Sequence, residues 1–225
     1  MKLTPALILF ALIAIATIGA LPPDCRGTVV FEDDFESYEI GDEPAPPWEQ
    51  YHYGEATTTV VDFSDEGGAN QALELSSPTN HDEVYLGATI ETIATSAKIT
   101  FDIHRWQSVE NLFFLAFWEP SDGTPRENVI FEIFADQLRI SDLSTTTPGD
   151  VFCDIVPYDS WHQIQVELQF GEASTASILV DGEGKPACTG IEIPSMSDLG
   201  FISFIAVGTD AGGYVDNVRI VKFDE

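Results

Sequence analysis

The chain has 225 residues, of which 38 are acidic and 9 are lysine or arginine, so its formal net charge is −29 at pH 7. Such a charge argues against nucleic acid and anionic membranes as partners, because both require a basic surface. The length fits one large all-β domain or two small domains. The acidity has three interpretations that composition does not separate: adaptation to high salt, use of divalent cations, and solubility.

The first 20 residues have the pattern of a signal peptide. Met1 and Lys2 precede an apolar run from Ala6 to Ala20, and two prolines follow. This run is shorter than the ~20 apolar residues of a comfortable membrane span. We therefore predict cleavage near Ala20 and a secreted or cell-surface protein, with a retained N-terminal anchor as the alternative. Residues 21–28 form an N-terminal extension that is a candidate for self-association, by adding to a neighbour's sheet edge.

Short apolar or alternating runs, separated by Gly, Pro, Asp and Asn, recur from Phe31 onward. No segment has a sustained helical period. We predict one β-sandwich or barrel domain over residues 29–225. The predicted strands are Val29–Phe35, Thr57–Phe63, Ala72–Ser76, Glu83–Ile90, Ala97–Trp106, Asn111–Trp118, Asn128–Ala135, Gln137–Ser141, His162–Phe170, Ala176–Val180, Gly200–Val207 and Tyr214–Phe223.

Two of the three cysteines, Cys153 and Cys188, lie in turn-rich stretches of the predicted β domain. Because the chain has the pattern of an exported protein, we predict that they form a disulfide and leave Cys25 over. The alternative is three unpaired thiols.

Three segments resemble the concanavalin A-like lectin/glucanase superfamily, in particular its laminin G-like jelly-roll domains. They are "FEDDFESYEIGDEPAPPW", "YDSWHQIQVELQF" followed by "SILVDG", and "GYVDNVRIVKF". The resemblance covers Phe31 to Phe223 and implies an all-β, two-sheet antiparallel jelly-roll sandwich. These motifs concern turns and core packing, and the superfamily includes lectins, adhesion modules, glycosidases and lyases.

The resemblance implies a ligand on the concave sheet, and strand alternation identifies polar side chains for it. A pyranose would stack on an indole and hydrogen-bond to amides and carboxylates. The alternative is that these residues are the solvated face of an antiparallel sheet. The predicted ligand-binding residues are Asp102, His104, Trp106, Glu132, Gln163, Gln165 and Glu167.

This set predicts a non-catalytic module that binds a polysaccharide or glycoconjugate. One alternative is a glycan-cleaving hydrolase or lyase, for which Glu132 with Asp102 or Glu167 would be the carboxylates. The other is a structural subunit of an extracellular coat or filament. The sequence shows neither a Gly-rich phosphate loop nor a Ser–His–Asp signature.

The terminal strands are expected to be neighbours, which would bring Asp34 and Glu36 close to Asp216. Oxygen ligands suit Ca²⁺, so we predict a structural calcium site. The alternative is that the N-terminal acids are edge-strand charges that prevent aggregation. Trp161, which opens a strand after "YDS", is predicted to be a core residue.

Overall fold

A computed structural model describes residues 27–63, 70–79, 81–105, 112–119, 126–134, 137–142, 151–193 and 196–224. These residues form two antiparallel sheets, which confirms the predicted all-β sandwich. The strands are β1 (Thr28–Asp33), β2 (Trp48–Tyr53), β3 (Thr57–Asp62), β4 (Gln71–Ser77), β5 (Glu83–Ile93), β6 (Ser96–Arg105), β7 (Leu112–Glu119), β8 (Arg126–Phe134), β9 (Gln137–Asp142), β10 (Val151–Ile155), β11 (Trp161–Gln169), β12 (Thr175–Val180), β13 (Glu183–Gly184), β14 (Ile191–Glu192), β15 (Leu199–Val207) and β16 (Ala211–Phe223).

One sheet has nine strands and the other has seven. The nine-stranded sheet runs β13-β12-β11-β6-β16-β4-β3, with β1 paired to β16 and β14 paired to β12. The seven-stranded sheet runs β10-β9-β8-β7-β15-β5-β2. The connection from β6 to β7 therefore crosses from the nine-stranded sheet to the seven-stranded sheet, which separates residues that are near in sequence.

The core lies between the sheets and is built by period-two alternation. Ile99, Phe101 and Ile103 of β6 point inward, as the alternating pattern predicts, and all three are buried. Phe204 of β15 is fully buried, and its ring packs 5.2 Å from the ring of Phe101 and 6.2 Å from that of Trp48 (centroid distances).

Strand β16 changes its neighbour halfway along. Its first part, Ala211 to Val215, pairs with β4, and its second part pairs with β1. A register shift follows Asp216 on the β6 side, where Asn217 has a φ of 51°. Such a bulge inserts one extra residue and redirects the side chains beside it, so Asp216 lies where β1 ends and β4 begins.

The predicted disulfide between Cys153 and Cys188 is present, with a Cα–Cα distance of 5.1 Å. Cys153 belongs to β10, the edge strand of the seven-stranded sheet. Cys188 ends a 3₁₀ turn at Pro186–Cys188, between β13 and β14 of the nine-stranded sheet. The bond therefore fastens the two sheets together along one side of the sandwich.

All twelve predicted strands are confirmed, and four strands were not predicted: β2, β10, β13 and β14. The predicted signal peptide and most of the N-terminal extension lie outside the described residues. Within the part of the chain that the structure describes, no helix is long and apolar enough to cross a membrane.

Candidate functional site

The structure divides the predicted ligand-binding residues between the two sheets. Asp102 and His104 (β6) and three residues of β11 (Gln163, Gln165 and Glu167) belong to the nine-stranded sheet, on its outer face. Glu132 belongs to β8 of the seven-stranded sheet, so the prediction that it shares a groove with them is wrong. Alternation shows which residues of a strand share a face but not which sheet the strand joins. Trp106 lies outside the described residues.

The polar groups on this outer face already bind one another. Asp102 accepts hydrogen bonds from the side-chain amides of Gln163 (3.4 Å) and Asn217 (2.9 Å). Gln165 donates its amide to Glu167 at 2.7 Å. Amide–carboxylate pairs of this kind explain why the strand carries glutamines in so acidic a protein, because each amide hydrogen-bonds a neighbouring carboxylate.

Next to these polar groups, four rings cluster on the same outer face. Phe63 lies 5.1 Å from Trp161, 4.7 Å from Tyr214 and 5.2 Å from His104, between ring centroids. Trp161 is partly buried in this cluster and pairs in register with His104, so the prediction that it belongs to the inter-sheet core is wrong. The first buried, inward-facing residue of β11 is Ile164.

Asp216 is the buried acid at the β16 bulge, with only 2% of its surface exposed. Its carboxylate accepts hydrogen bonds from the Asn70 side chain (2.8 Å) and the Asn217 backbone (2.7 Å). Burial, with a smaller contribution from the negative charges of Asp102 and Glu36, raises the pKa of Asp216 to about 6, although these two hydrogen bonds lower it. Acids from both ends of the chain, Glu36 and Asp216, are therefore close enough for their charges to interact, while the calcium site itself stays a prediction.

The other predicted calcium ligand, Asp34, takes part in a local turn. Its carboxylate accepts the backbone N–H of Glu36 at 3.2 Å, while the Glu36 carboxylate accepts the N–H of Gln71 at 2.7 Å. Asp34 and Asn217 line a surface depression of about 270 Å³. Among the described residues, no group of three or more His, Cys, Asp or Glu side chains is arranged to hold a metal ion.

The outer face of the seven-stranded sheet carries exposed aromatic side chains. Tyr51 and Tyr53 of β2 are 60% and 58% exposed, and Phe152 of β10 is 56% exposed. All three occupy outward positions, because Trp48 and Cys153 in the same strands are buried. These residues were missed because β2 and β10 were not predicted as strands. The alternation in "WEQYHY" was the available indication.

Between the edge strands β2 and β10, small and apolar residues form part of the outer face. Ser203 and Ile205 of β15 point away from the core yet are buried. The ring of Phe201 lies so close to Gly87 of β5 that a Cβ atom on residue 87 would collide with it. The absence of a side chain at Gly87 therefore lets this ring pack against the sheet.

A continuous row in register crosses this face. Tyr51 lies opposite Tyr85 (ring centroids 6.1 Å apart), and Tyr85 lies opposite Ile205. The row continues across β7 to Glu132 and Arg139, and it ends at Phe152 of β10, on the opposite edge of the sheet from Tyr51.

Acidic groups border the aromatic side of the row. The Tyr85 hydroxyl donates to the carboxylate of Glu83 at 2.6 Å, and Glu49 is exposed beside Tyr51 on β2. This side of the face therefore combines aromatic rings with carboxylate acceptors.

No family model matches the chain, and no curated protein matches it. Solved structures do match: a sialidase has a TM-score of 0.65 at 14% identity over 87% of this chain and 19% of its own length. The globular domain of T. cruzi calreticulin has a TM-score of 0.59 at 13% identity over 88% of this chain and 89% of its own. The carbohydrate recognition domain of Emp47p has a TM-score of 0.58 at 12% identity, covering 87% of this chain and 95% of its own. The chain thus spans about a fifth of the sialidase, and at these identities the likeness shows the antiparallel β-sandwich fold alone.

Proposed function

We propose that the protein is a secreted carbohydrate-binding module whose glycan lies, without being cleaved, on the outer face of the seven-stranded sheet. The observation that carries this proposal is the exposure of Tyr51, Tyr53 and Phe152 on one face. The similarity to a carbohydrate recognition domain supports it. The disulfide supports an extracellular location, since such bonds persist in oxidising compartments.

The physical reason is that exposed aromatic rings that adjoin one another favour a ligand that covers them. Scattered apolar side chains are normal on a protein surface, but a contiguous patch of them, such as Tyr51 with Tyr85, marks an interaction site. A pyranose presents an apolar face of C–H groups to a ring and hydroxyls to the surroundings. Tyr51 and Tyr85 would stack on the sugar, while Glu49 and Glu83 accept hydrogen bonds from its hydroxyls.

The charge distribution favours a neutral glycan. Glu49 and Glu83 lie beside Tyr51 and Tyr85 on this face, and the whole chain carries a net charge of −29. A glycan rich in uronate or sulfate would be repelled, most strongly at low ionic strength. We expect binding to mannan, xylan or β-glucan and none to polygalacturonate in the same buffer.

The test is binding of wild type and single variants to this panel. Replacing Tyr51 or Tyr85 with alanine is expected to weaken binding about tenfold or more, because a ring contact contributes about 0.5–1.5 kcal/mol beyond the area it buries. Gln165→Ala on the nine-stranded sheet is the control and should bind like wild type. Loss of binding in Gln165→Ala alone would place the glycan on the other sheet, and no binding to any glycan would overturn the function.

We also propose that Ca²⁺ binds beside Asp216. The support is a buried carboxylate whose acidic neighbours Glu36 and Asp102 repel its charge. Oxygen donors are the ligands that Ca²⁺ prefers, and the Asn70 side chain next to Asp216 supplies a further one. Bound there, the cation would offset the repulsion and hold together the end of β1, the start of β4 and the bulge of β16.

A further inference from the structure

Beside the beginning of β11, three side chains form a hydrogen-bonded chain from a hydroxyl to a carboxylate. Ser160 Oγ lies 2.8 Å from His162 Nε2, and His162 Nδ1 lies 2.8 Å from Asp181 Oδ2. The Ser160 hydroxyl has a second, longer contact of 3.3 Å to the carbonyl of Tyr158. His162 thus has a hydroxyl at one ring nitrogen and a carboxylate at the other, which is the arrangement that a general base needs to activate a nucleophile.

The fold fixes the carboxylate end of this chain. Asp181 follows β12 in a left-handed turn with a φ of 52°, and its backbone N–H donates to the carbonyl of Gln163 at 2.9 Å. Its second oxygen, Oδ1, accepts the N–H of Gln163 at 2.9 Å. Although burial raises the pKa of Asp181, the hydrogen bonds from His162 and Gln163 lower it overall, so the carboxylate stays ionised.

That ionised carboxylate orients the imidazole. With Nδ1–H donated to Asp181, Nε2 carries the lone pair and accepts the Ser160 hydroxyl hydrogen. His162 has 13% of its side chain exposed and Ser160 is half-buried, so a small ester can reach the hydroxyl from solvent. Sequence inspection missed the group because Asp181 is 19 residues from His162 and joins it only through the β11–β12 pairing.

We propose that Ser160 is the nucleophile of an acyl-transfer site that hydrolyses O-acyl esters, with His162 as general base and Asp181 as the residue that positions it. This site does not rest on the proposed carbohydrate binding, because it lies at the start of β11 in the nine-stranded sheet. Its substrate is an ester with a small acyl group, for which p-nitrophenyl acetate is the probe.

The reaction balances with water as the second substrate. As Ser160 Oγ bonds to the acyl carbon, its proton passes to His162 Nε2, and the imidazolium then protonates the departing alkoxide. Water next gives a proton to Nε2 while its oxygen bonds to the acyl carbon. Ser160 leaves with that proton, releasing the carboxylic acid and restoring the starting state.

The experiment combines covalent labelling with hydrolysis. Wild type incubated with a fluorophosphonate should gain one adduct, which peptide mass spectrometry places on Ser160. The adduct should be absent in Ser160→Ala, and the labelling rate should fall about 100-fold or more in His162→Ala, as for loss of a general base. Hydrolysis of p-nitrophenyl acetate should follow the same order.

Ser177→Ala is the matched control, because this serine on the neighbouring strand β12 accepts only the N–H of Gly190 among the contacts described. It should label and hydrolyse like wild type. Asp181→Asn keeps the size of the side chain and should slow both reactions, with a changed pH profile. An unlabelled wild type, or an adduct on any other residue, would overturn the proposal, as would equal labelling of wild type and folded His162→Ala.

Discussion

Replacing Cys153 and Cys188 together by alanine is expected to lower the free energy of unfolding by about 4 kcal/mol. The bond joins residues 35 apart in sequence, and closing a loop of that length restricts the unfolded chain by about this amount. It also fastens β10, an edge strand held on one side only by β9, to the nine-stranded sheet. Unfolding the wild type and the double variant in denaturant measures this loss of stability, provided that the dependence of the free energy on denaturant concentration is compared between them.

Reduced wild type is the control for that experiment. If the effect comes from the bond, wild type in reducing agent should unfold at the same denaturant concentration as the double variant. A double variant as stable as oxidised wild type would show that the bond contributes nothing to the fold.

Asp216→Asn is expected to increase the free energy of unfolding at pH 7 by up to about 3 kcal/mol when calcium is absent. The pKa of Asp216 is raised from 3.8 to about 6 in the folded protein, and each pKa unit is worth about 1.4 kcal/mol. Since the folded state holds this proton more tightly, wild-type stability should fall as the pH rises from about 4 to 6. The variant should lack that contribution to the pH dependence.

Calcium should reverse the order of the two proteins. Millimolar Ca²⁺ is expected to raise the melting temperature of wild type by mass action and to leave that of Asp216→Asn nearly unchanged. Asp210→Asn, the same substitution at an exposed position just before β16, should behave like wild type in both tests. If Asp216→Asn is less stable at every pH and Ca²⁺ moves neither melting curve, the carboxylate serves only as a hydrogen-bond acceptor for Asn70 and the backbone.

Strands such as β6 were predictable because they bury one row of side chains, here Ile99, Phe101 and Ile103. Strand β2 was missed because it follows a proline-rich segment, and β10 because it has five residues after a turn-rich stretch. The candidate site was less predictable. Which sheet Glu132 joins depends on a long-range pairing, since β6 and β7 follow one another in sequence but belong to different sheets.

Local polarity also misled the interpretation of β11. Gln163 and Gln165 suggested free groups for sugar hydroxyls, yet both donate to neighbouring carboxylates. Gln163 lies opposite its partner Asp102 on the neighbouring strand, and Gln165 bonds the next outward residue of its own strand, Glu167. The composition of the strand does not predict these contacts. The exposure of Tyr51 and Phe152 is likewise a tertiary property, since an outward aromatic and an inward one are identical letters in a sequence.

The most direct measurement of where a glycan binds is the chemical shift of individual tyrosine rings as a neutral oligosaccharide, such as a xylan or β-glucan fragment, is added. Tyr51 and Tyr85 lie on the outer face of the seven-stranded sheet, and Tyr214 lies on the outer face of the other. We predict that the ring signals of Tyr51 and Tyr85 shift with saturation while those of Tyr214 stay in place. A shift of Tyr214 with Tyr51 and Tyr85 unmoved would contradict the assignment of the binding face.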